Sequence, residues 1–392
     1  MPDSDSDAGP ELTVVMPCLN EADTLGVCLD KAFRAMREAG IDGEVVVADN
    51  GSTDGSLQIA ADRGARVEHV PERGYGSALM GGINSARGRY VLMGDADDSY
   101  DFLELPKFVK KLRTGPDLVQ GCRLPAGGGT VLPGAMPWSH RWIGNPMLTR
   151  LVRLWFGAPI HDVYCGMRGF TKRFYDTLGM RCTGMEFATE MIIKASLRKA
   201  DVAEVPITLH PDGRTSHAPH LRTFRDGWRT LRFFLMCTPR WLYIGPGLLL
   251  IAAGLLGYAL ALPAVTIAGA TFDAHTLVFA SLALICGYQA LVFGVLTKAF
   301  SKSVDLVPVR RGENRLAKGL ADSRVALVGV GAGVIGAALL GVAVLEWWRA
   351  GFGTLDYART MRWVVPGSTL VTLGFLTVLA SFFAGVLGLQ RR

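Results

Sequence analysis

Four carboxylates, Asp95, Asp97, Asp98 and Asp101, fall within seven residues, directly after the apolar run Tyr90–Met93 and Gly94. Carboxylates this close repel, and each raises its neighbour's pKa unless something positive sits among them. A hard divalent cation, Mg²⁺ or Mn²⁺, resolves that conflict. One or two carboxylates hold it, and water and phosphate oxygens fill the remaining positions. Asp95 and Asp97 flank Ala96, and the turn after Gly94 must bring their carboxylates to one cation. Tyr90–Met93 reads as a short buried strand. A solvated acidic loop is the plain alternative. The end of a buried strand, however, is where open α/β sheets take ligands, which favours a metal–diphosphate site.

The elements that position these acids alternate. Leu12–Pro17 is a β-branched strand, and Ala22–Ala39 a helix with apolar Leu25, Cys28, Leu29, Ala32, Phe33 and Met36 at helical spacing. Glu44–Ala48 is a second strand, followed by the polar loop Asp49–Gly55, whose short side chains suit base and ribose edges. A helix (Ser56–Arg63), a strand (Arg66–Val70), the glycine-rich Glu72–Ser77 and a helix (Ala78–Ala86) lead into the Tyr90 strand. Strand–helix alternation of this kind predicts an α/β fold, a parallel sheet covered on both faces with its working loops at the strands' carboxyl ends. Gly74-Tyr75-Gly76 is not a dinucleotide fingerprint, because Leu79 stands where the third glycine belongs, and no GxxxxGK occurs. A helix N-terminus beside a diphosphate and a plain turn both remain open there.

Further strands are expected at Asp117–Gly121 and Val202–Thr208, and a helix-rich stretch at Gly179–Lys199 carrying Glu186 and Glu190. Pro125–Pro137 is a loop long enough to act as a lid. Within Trp138–Phe156 tryptophans alternate with His140, Arg141, Arg150 and Arg153, the pattern of an amphipathic helix lying in a bilayer interface. His220–Trp241 is a second basic amphipathic segment. His210, His217 and His220 fit no strong zinc spacing, and Arg214 among them points to phosphate contact.

The chain has 392 residues, a formal charge of +6 and 49% hydrophobic residues, with mean hydropathy +0.27. The apolar excess lies in 242–392. Residues 1–11 are acidic and polar and read as a disordered tail without a signal peptide. Seven scattered cysteines without a CxxC pair argue for reduced thiols, not a disulfide framework or zinc site. No nucleic-acid-binding motif is present, so the positive charge points to lipid headgroups and phosphates. Leu242–Leu262, Thr276–Lys298, Val325–Trp347 and Trp363–Leu387 meet the length for membrane helices. Loop Lys298–Arg324 carries seven Lys and Arg, including Arg310 and Arg311, and Leu262–Thr276 none. By the positive-inside rule the N-terminal domain and both termini are cytoplasmic. The domain plan is therefore a tail (1–11), a catalytic domain (12–219), a juxtamembrane segment (220–241) and four membrane helices (242–392).

Several motifs in order resemble family 2 glycosyltransferases of the GT-A type, and among them the polyprenyl-phosphate sugar synthases such as dolichyl-phosphate mannose and glucose synthases. They are PCLNEADT (Pro17–Thr24), VADNGSTDGS (Val47–Ser56, with Asn50 for the family's second aspartate), MGDADDSYD (Met93–Asp101), VYCGMRGF (Val163–Phe170, with Cys165 for serine) and Val205–Leu221, the segment that closes over phosphates. The resemblance covers about Leu12–Arg240. It implies a Rossmann-like, mostly parallel GT-A domain and inverting, metal-dependent transfer of a hexose to a polyprenyl phosphate. The donor implied is a nucleotide sugar, UDP-linked in preference to GDP-linked. Asp95 and Asp97 would then hold Mg²⁺ or Mn²⁺, with Ala96 between them. Pro17, Asn20, Gly74 and Tyr75 would line the donor, and Glu21, Asp49, Asn50 and Asp54 would face the nucleoside. Arg123, Arg141 and Arg214 would hold the acceptor phosphate and the departing diphosphate, since a guanidinium fork suits phosphate oxygens. A polysaccharide synthase is the nearest rival, but no QxxRW motif occurs. A non-catalytic binder or transporter of lipid-linked sugars is the other. A homo-oligomer stays open.

Overall fold

The computed structural model describes residues 9–215, 223–303 and 315–389. His217, His220, Arg310, Arg311, the first eight residues of the expected tail and the end of the Val205–Leu221 segment lie outside them. The chain divides into two compact units, one ending at Phe234 and the other beginning at Leu235.

In the first unit the order is β1 (Leu12–Cys18), α1 (Leu25–Glu38), β2 (Gly43–Asp49), α2 (Ser56–Asp62), β3 (Arg66–His69), α3 (Tyr75–Ser85), β4 (Tyr90–Met93) and α4 (Leu105–Leu112). There follow β5 (Leu118–Cys122), β6 (Thr130–Val131), α5 (Asn145–Phe156), β7 (Arg168–Thr171), α6 (Lys172–Leu178), α7 (Phe187–Arg198), β8 (Val202–Pro206), β9 (Thr208–Leu209) and α8 (Thr223–Cys237). Seven strands form one sheet in the order β3-β2-β1-β4-β7-β5-β8. The pairs are parallel except those of β7, which runs antiparallel to both β4 and β5. Strands β4 and β5 are buried at every residue, as expected of strands covered on both faces. Helix α1 turns Leu25, Cys28, Leu29, Ala32 and Met36 inward, and Phe33 packs at the edge of the same core. The parallel register sets Cys18 beside Asp49 and Val15 beside Met93, so the loops after β1, β2 and β4 leave the sheet at one edge.

Three expectations change. The tail is placed from Gly9 onward: Glu11 pairs with Arg113 at 2.6 Å, and the Pro10 and Glu11 carbonyls accept from Arg89 and Tyr90. Helix α3 begins at Tyr75, three residues before the expected start. The Pro125–Pro137 loop is pinned along part of its length, because β6 pairs with β9 and Leu132 donates to the Leu209 carbonyl.

Among the described residues of the second unit four helices are long and apolar enough to cross a membrane: Arg240–Ala261, Ala274–Phe300, Ser323–Arg349 and Tyr357–Leu387. They comprise α9 (Gly245–Ala261), α10 (Ala274–Ser303), α12 (Ser323–Arg349) and α13 (Tyr357–Leu389), with a two-residue-strand hairpin, β10 (Thr266–Ile267) and β11 (Ala270–Thr271), before α10 and the short α11 (Arg315–Leu320) before α12. Arg362 pairs with Asp273 at 3.1 Å, and Arg359 with Glu346 at 3.6 Å. Where apolar burial gives helices no preference over lipid, small residues and hydroxyls hold them. Tyr258, Ser281 and Thr369 share hydrogen bonds of 2.6–3.0 Å, and Tyr288 bonds Thr377 at 2.6 Å. Glycines let α12 and α13 touch: a Cβ on Gly336 would lie 2.6 Å from the Gly367 carbonyl and 2.7 Å from the Val371 nitrogen. Gly336→Leu is therefore expected to destabilise the bundle by about 1–3 kcal/mol through overpacking. A lowered melting temperature of the detergent-solubilised protein would show it, and an unchanged one would refute this packing.

Candidate active site

Strand β4 delivers the acid cluster, and the turn after Gly94 sorts its members. Gly94 has no room for a side chain, because a Cβ there would come within 2.9 Å of the Phe102 ring. Asp95 Oδ1 accepts a 2.7 Å hydrogen bond from the Tyr75 hydroxyl at the start of α3. Ala96 is buried, and its carbonyl accepts from Thr24 Oγ1 at 2.6 Å. Asp97 accepts from the Ser99 amide through Oδ1 and stands 3.2 Å from Arg214 Nη2 through Oδ2. Asp98, at φ +58°, turns instead to Lys31 of α1 at 2.8 Å, and Asp101 caps the turn at Phe102–Glu104. The four acids thus divide into an inner pair, Asp95 and Asp97, and an outer pair serving the fold. Burial, and next the negative charge of Asp97, push the Asp95 carboxyl up to about 7, against the Tyr75 hydrogen bond and the Arg214 charge.

Arg214 closes the cluster. Its Nε and Nη2 fork grips Glu21 at 2.7 and 2.9 Å, Nη2 also reaches Asp97, and Nη1 reaches Asp212 at 3.0 Å. The structure therefore gathers Glu21, Tyr75, the Asp95–Asp97 pair and Arg214 from four separate stretches of chain. Glu21, expected at the nucleoside, meets Arg214 in this structure.

The loops after β1 and β2 lock together beside this cluster. Just past Pro17, Asn20 (φ +61°) accepts from the Thr53 amide at 2.8 Å, and the Glu21 amide donates to Ser56 Oγ at 2.9 Å. Asp54 accepts from Ser56 and from the Ala22 amide, so it shapes the loop and its expected nucleoside contact is not supported. Asn50 donates to the Val70 and Glu72 carbonyls and accepts from the Gly74 amide at 2.7 Å. That side chain is committed to the fold, which explains why it need not be an aspartate. Asp49 accepts from the Gly51 and Ser52 amides and lies 3.4 Å from His69. Burial would raise the Asp49 carboxyl, but these donors outweigh it and hold it below its ordinary value.

Three further expectations need correction. The first turn of α3 does not offer its amides to a diphosphate, because Gly76 and Ser77 donate to the Thr183 carbonyl at 2.9 and 3.2 Å. Gly74 (φ +137°) and Gly76 are glycines because the Cys182–Gly184 backbone lies against them. That backbone is held in turn by Glu190, which accepts from the Arg181 and Cys182 amides and pairs with Lys194 at 2.6 Å, both side chains buried. Glu190 is thus a core residue, and Glu186 pairs with Arg229 at 2.6 Å. Arg123 is buried against Asp162, which takes its Nε at 2.7 Å, its Nη2 at 2.9 Å and its amide at 3.0 Å. Its remaining Nη1 approaches the Tyr100 hydroxyl at 3.4 Å, so no fork is left for a phosphate. Arg141 lies in the turn His140–Gly144, its guanidinium 5.3 Å from the Trp142 ring, and does not join the acid cluster.

The sequence reasoning missed Tyr100, Asp162 and Asp212. Tyr100 Oη accepts from the Gly166 amide at 2.8 Å, beside Asp95: a Cβ on Gly166 would lie 2.8 Å from Asp95 Oδ2. Only Asp212 carried a local signal, two residues before Arg214.

Asp95 and Asp97 fit a hard divalent cation: both donors are carboxylate oxygens, and the hydrogen-bond partner of Asp95 is a neutral phenol, Tyr75. Among the described residues no three His, Cys, Asp or Glu side chains form a complete cage. A two-carboxylate set is the kind that shares a cation with substrate phosphates.

Residues 13–179 match the family described as Glycosyl transferase family 2, and residues 295–388 match the Glycosyltransferase family 2 C-terminal transmembrane region. The low-salt glycan biosynthesis hexosyltransferase Agl6 of Haloferax volcanii is 38% identical over 390 residues, covering 98% of this chain and 91% of that protein. The dolichyl-phosphate hexose transferase of the same organism is 34% identical over 199 residues, covering 50% of this chain and 82% of its own. Among solved structures, glucosyl-3-phosphoglycerate synthase from Mycobacterium tuberculosis, in complex with Mn²⁺, UDP and glucosyl-3-phosphoglycerate, is 23% identical with a TM-score of 0.45, covering 59% of this chain and 81% of that one.

Proposed function

The chain belongs to glycosyl transferase family 2 and is a membrane-embedded glycosyltransferase, and from that premise we propose that it transfers a hexose from a nucleotide sugar, UDP-linked in preference to GDP-linked, to a polyprenyl phosphate. The observation that carries this reading is the inner acid pair Asp95 and Asp97, gathered with Tyr75, Glu21 and Arg214 where β1, β2 and β4 end. The dolichyl-phosphate hexose transferase supports a polyprenyl phosphate as acceptor.

Asp95 and Asp97 would hold Mg²⁺ or Mn²⁺, which when bound neutralises the donor diphosphate and stabilises it as a leaving group. Asp49 and the interlocked loops at Asn20 and Thr53 form a preset wall for the nucleoside. Tyr75 fixes the orientation of Asp95. An acceptor phosphate is already anionic near neutral pH, so it attacks the anomeric carbon without a general base, and the configuration inverts. What the chain supplies is position and fixed charge.

The exposed tryptophans Trp138 and Trp142, on the same stretch as the exposed Arg150 and Arg153, suit an amphipathic surface in a bilayer interface, where a lipid-borne phosphate lies. The basic loop Lys298–Arg324 favours a cytoplasmic catalytic domain.

A donor screen tests the reading. Purified protein with Mn²⁺ should release UDP from one UDP-hexose only when polyprenyl phosphate is added. Release of nucleotide that ignores the lipid, or that needs a water-soluble acceptor, would refute it.

A further inference from the structure

Arg214 does more in this structure than wait for a phosphate. One guanidinium is shared by three carboxylates, Glu21, Asp97 and Asp212, and its side chain is only 11% exposed. The segment bearing it is fastened along its length. His210 donates to the Ser99 carbonyl at 2.9 Å, Gly213 to the Asp97 carbonyl at 3.0 Å, and the Thr215 amide and hydroxyl to Asp23 at 3.0 Å. Gly213 fits closely, for a Cβ there would lie 3.1 Å from Thr24. Both oxygens of Asp97 are therefore engaged, one by Ser99 and one by Arg214. A cation can take Asp97 Oδ2 only by displacing a guanidinium that already neutralises it.

We propose that Arg214 is a built-in cation surrogate, which neutralises Asp97 and Glu21 in the empty site and passes to the diphosphate when metal and nucleotide arrive together. This rests on the reading of Asp95 and Asp97 as the metal site. Metal alone must displace Arg214 from Asp97 and sets a second cation against a guanidinium still held there by Glu21 and Asp212. Metal with a diphosphate breaks the same pair but offers the fork a new bidentate partner. The affinity of a ligand for a site that is mostly closed falls by the fraction that is open, so metal alone binds weakly. Coupling is reciprocal, so the nucleotide also binds weakly without metal. The strap thus makes the site select the metal–nucleotide complex over either component.

Mn²⁺ binding to the full chain in detergent, followed by the electron paramagnetic resonance of the free ion, tests this without turnover. UDP and GDP are added in parallel arms. Wild type should bind Mn²⁺ weakly alone and about tenfold or more tightly with one of the nucleotides, within the usual range of site coupling. Arg214→Gln should bind Mn²⁺ alone about tenfold more tightly than wild type and lose most of the nucleotide's enhancement. Asp23→Ala, which unfastens Thr215 and leaves Arg214 in place, should also tighten Mn²⁺ alone but keep the enhancement. If neither variant tightens Mn²⁺ alone while wild type binds Mn²⁺ with nucleotide, the surrogate role is wrong and the metal site stands. If wild type binds no Mn²⁺ with either nucleotide, both fall.

Discussion

Asp97→Ala is expected to lower transfer by about a thousandfold or more, the scale of losing several kcal/mol of charge stabilisation. Asp97 keeps 13% of its side chain exposed, and its side chain contacts Ser99 and Arg214 at the cluster. Its loss also relieves the repulsion on Asp95. The fold should therefore survive, and thermal unfolding in detergent should match wild type within about 1 kcal/mol. The readout is radiolabelled sugar in the organic phase after lipid extraction. A variant that retains full transfer would remove Asp97 from the metal site.

Asp162→Ala should be the most damaging single change to stability away from the acid cluster. Asp162 is fully buried and neutralises Arg123 through two side-chain bonds, and it also accepts the Arg123 amide. Removing one partner of such a pair leaves a charge uncompensated in the core, a cost of about 3–5 kcal/mol. The double change Asp162→Leu with Arg123→Met removes both charges and should recover most of that loss. Denaturant unfolding of wild type, Asp162→Leu, Arg123→Met and the double variant as a cycle measures the coupling. Were Asp162→Ala as stable as wild type while Arg123→Met alone lost transfer, Arg123 would face a phosphate after all.

How much of this was legible beforehand depended on how far apart the interacting residues lie. The strands with continuous apolar runs, β1, β2 and β4, and the helical spacing of α1 were readable because periodicity is local. The four membrane helices followed from length and composition alone. The Asp95–Asp97 pair stood out because its acids follow one another at a strand end, whereas the fold roles of Asp98 and Asp101 depend on Lys31 and on the turn at Phe102. The arginines were harder. All three expected phosphate ligands have the right side chain, but only Arg214 meets the acids. What separates it from Arg123 is a partner 39 residues away, Asp162, and no pattern within the motif reports that. The same holds for Asn50, whose fold role depends on Val70, Glu72 and Gly74. Strand β7 escaped notice because four residues with one arginine carry little period, and its antiparallel direction is a property of the sheet and not of the segment.

The product expected of this enzyme is a sugar joined to a lipid-borne phosphate. Purified protein, given polyprenyl phosphate, Mn²⁺ and the hexose nucleotide selected by the donor screen, should yield an organic-phase species heavier than the lipid by one anhydrohexose unit, and Asp97→Ala should not. Mass spectrometry that found unmodified polyprenyl phosphate beside hexose on a water-soluble acceptor would contradict it.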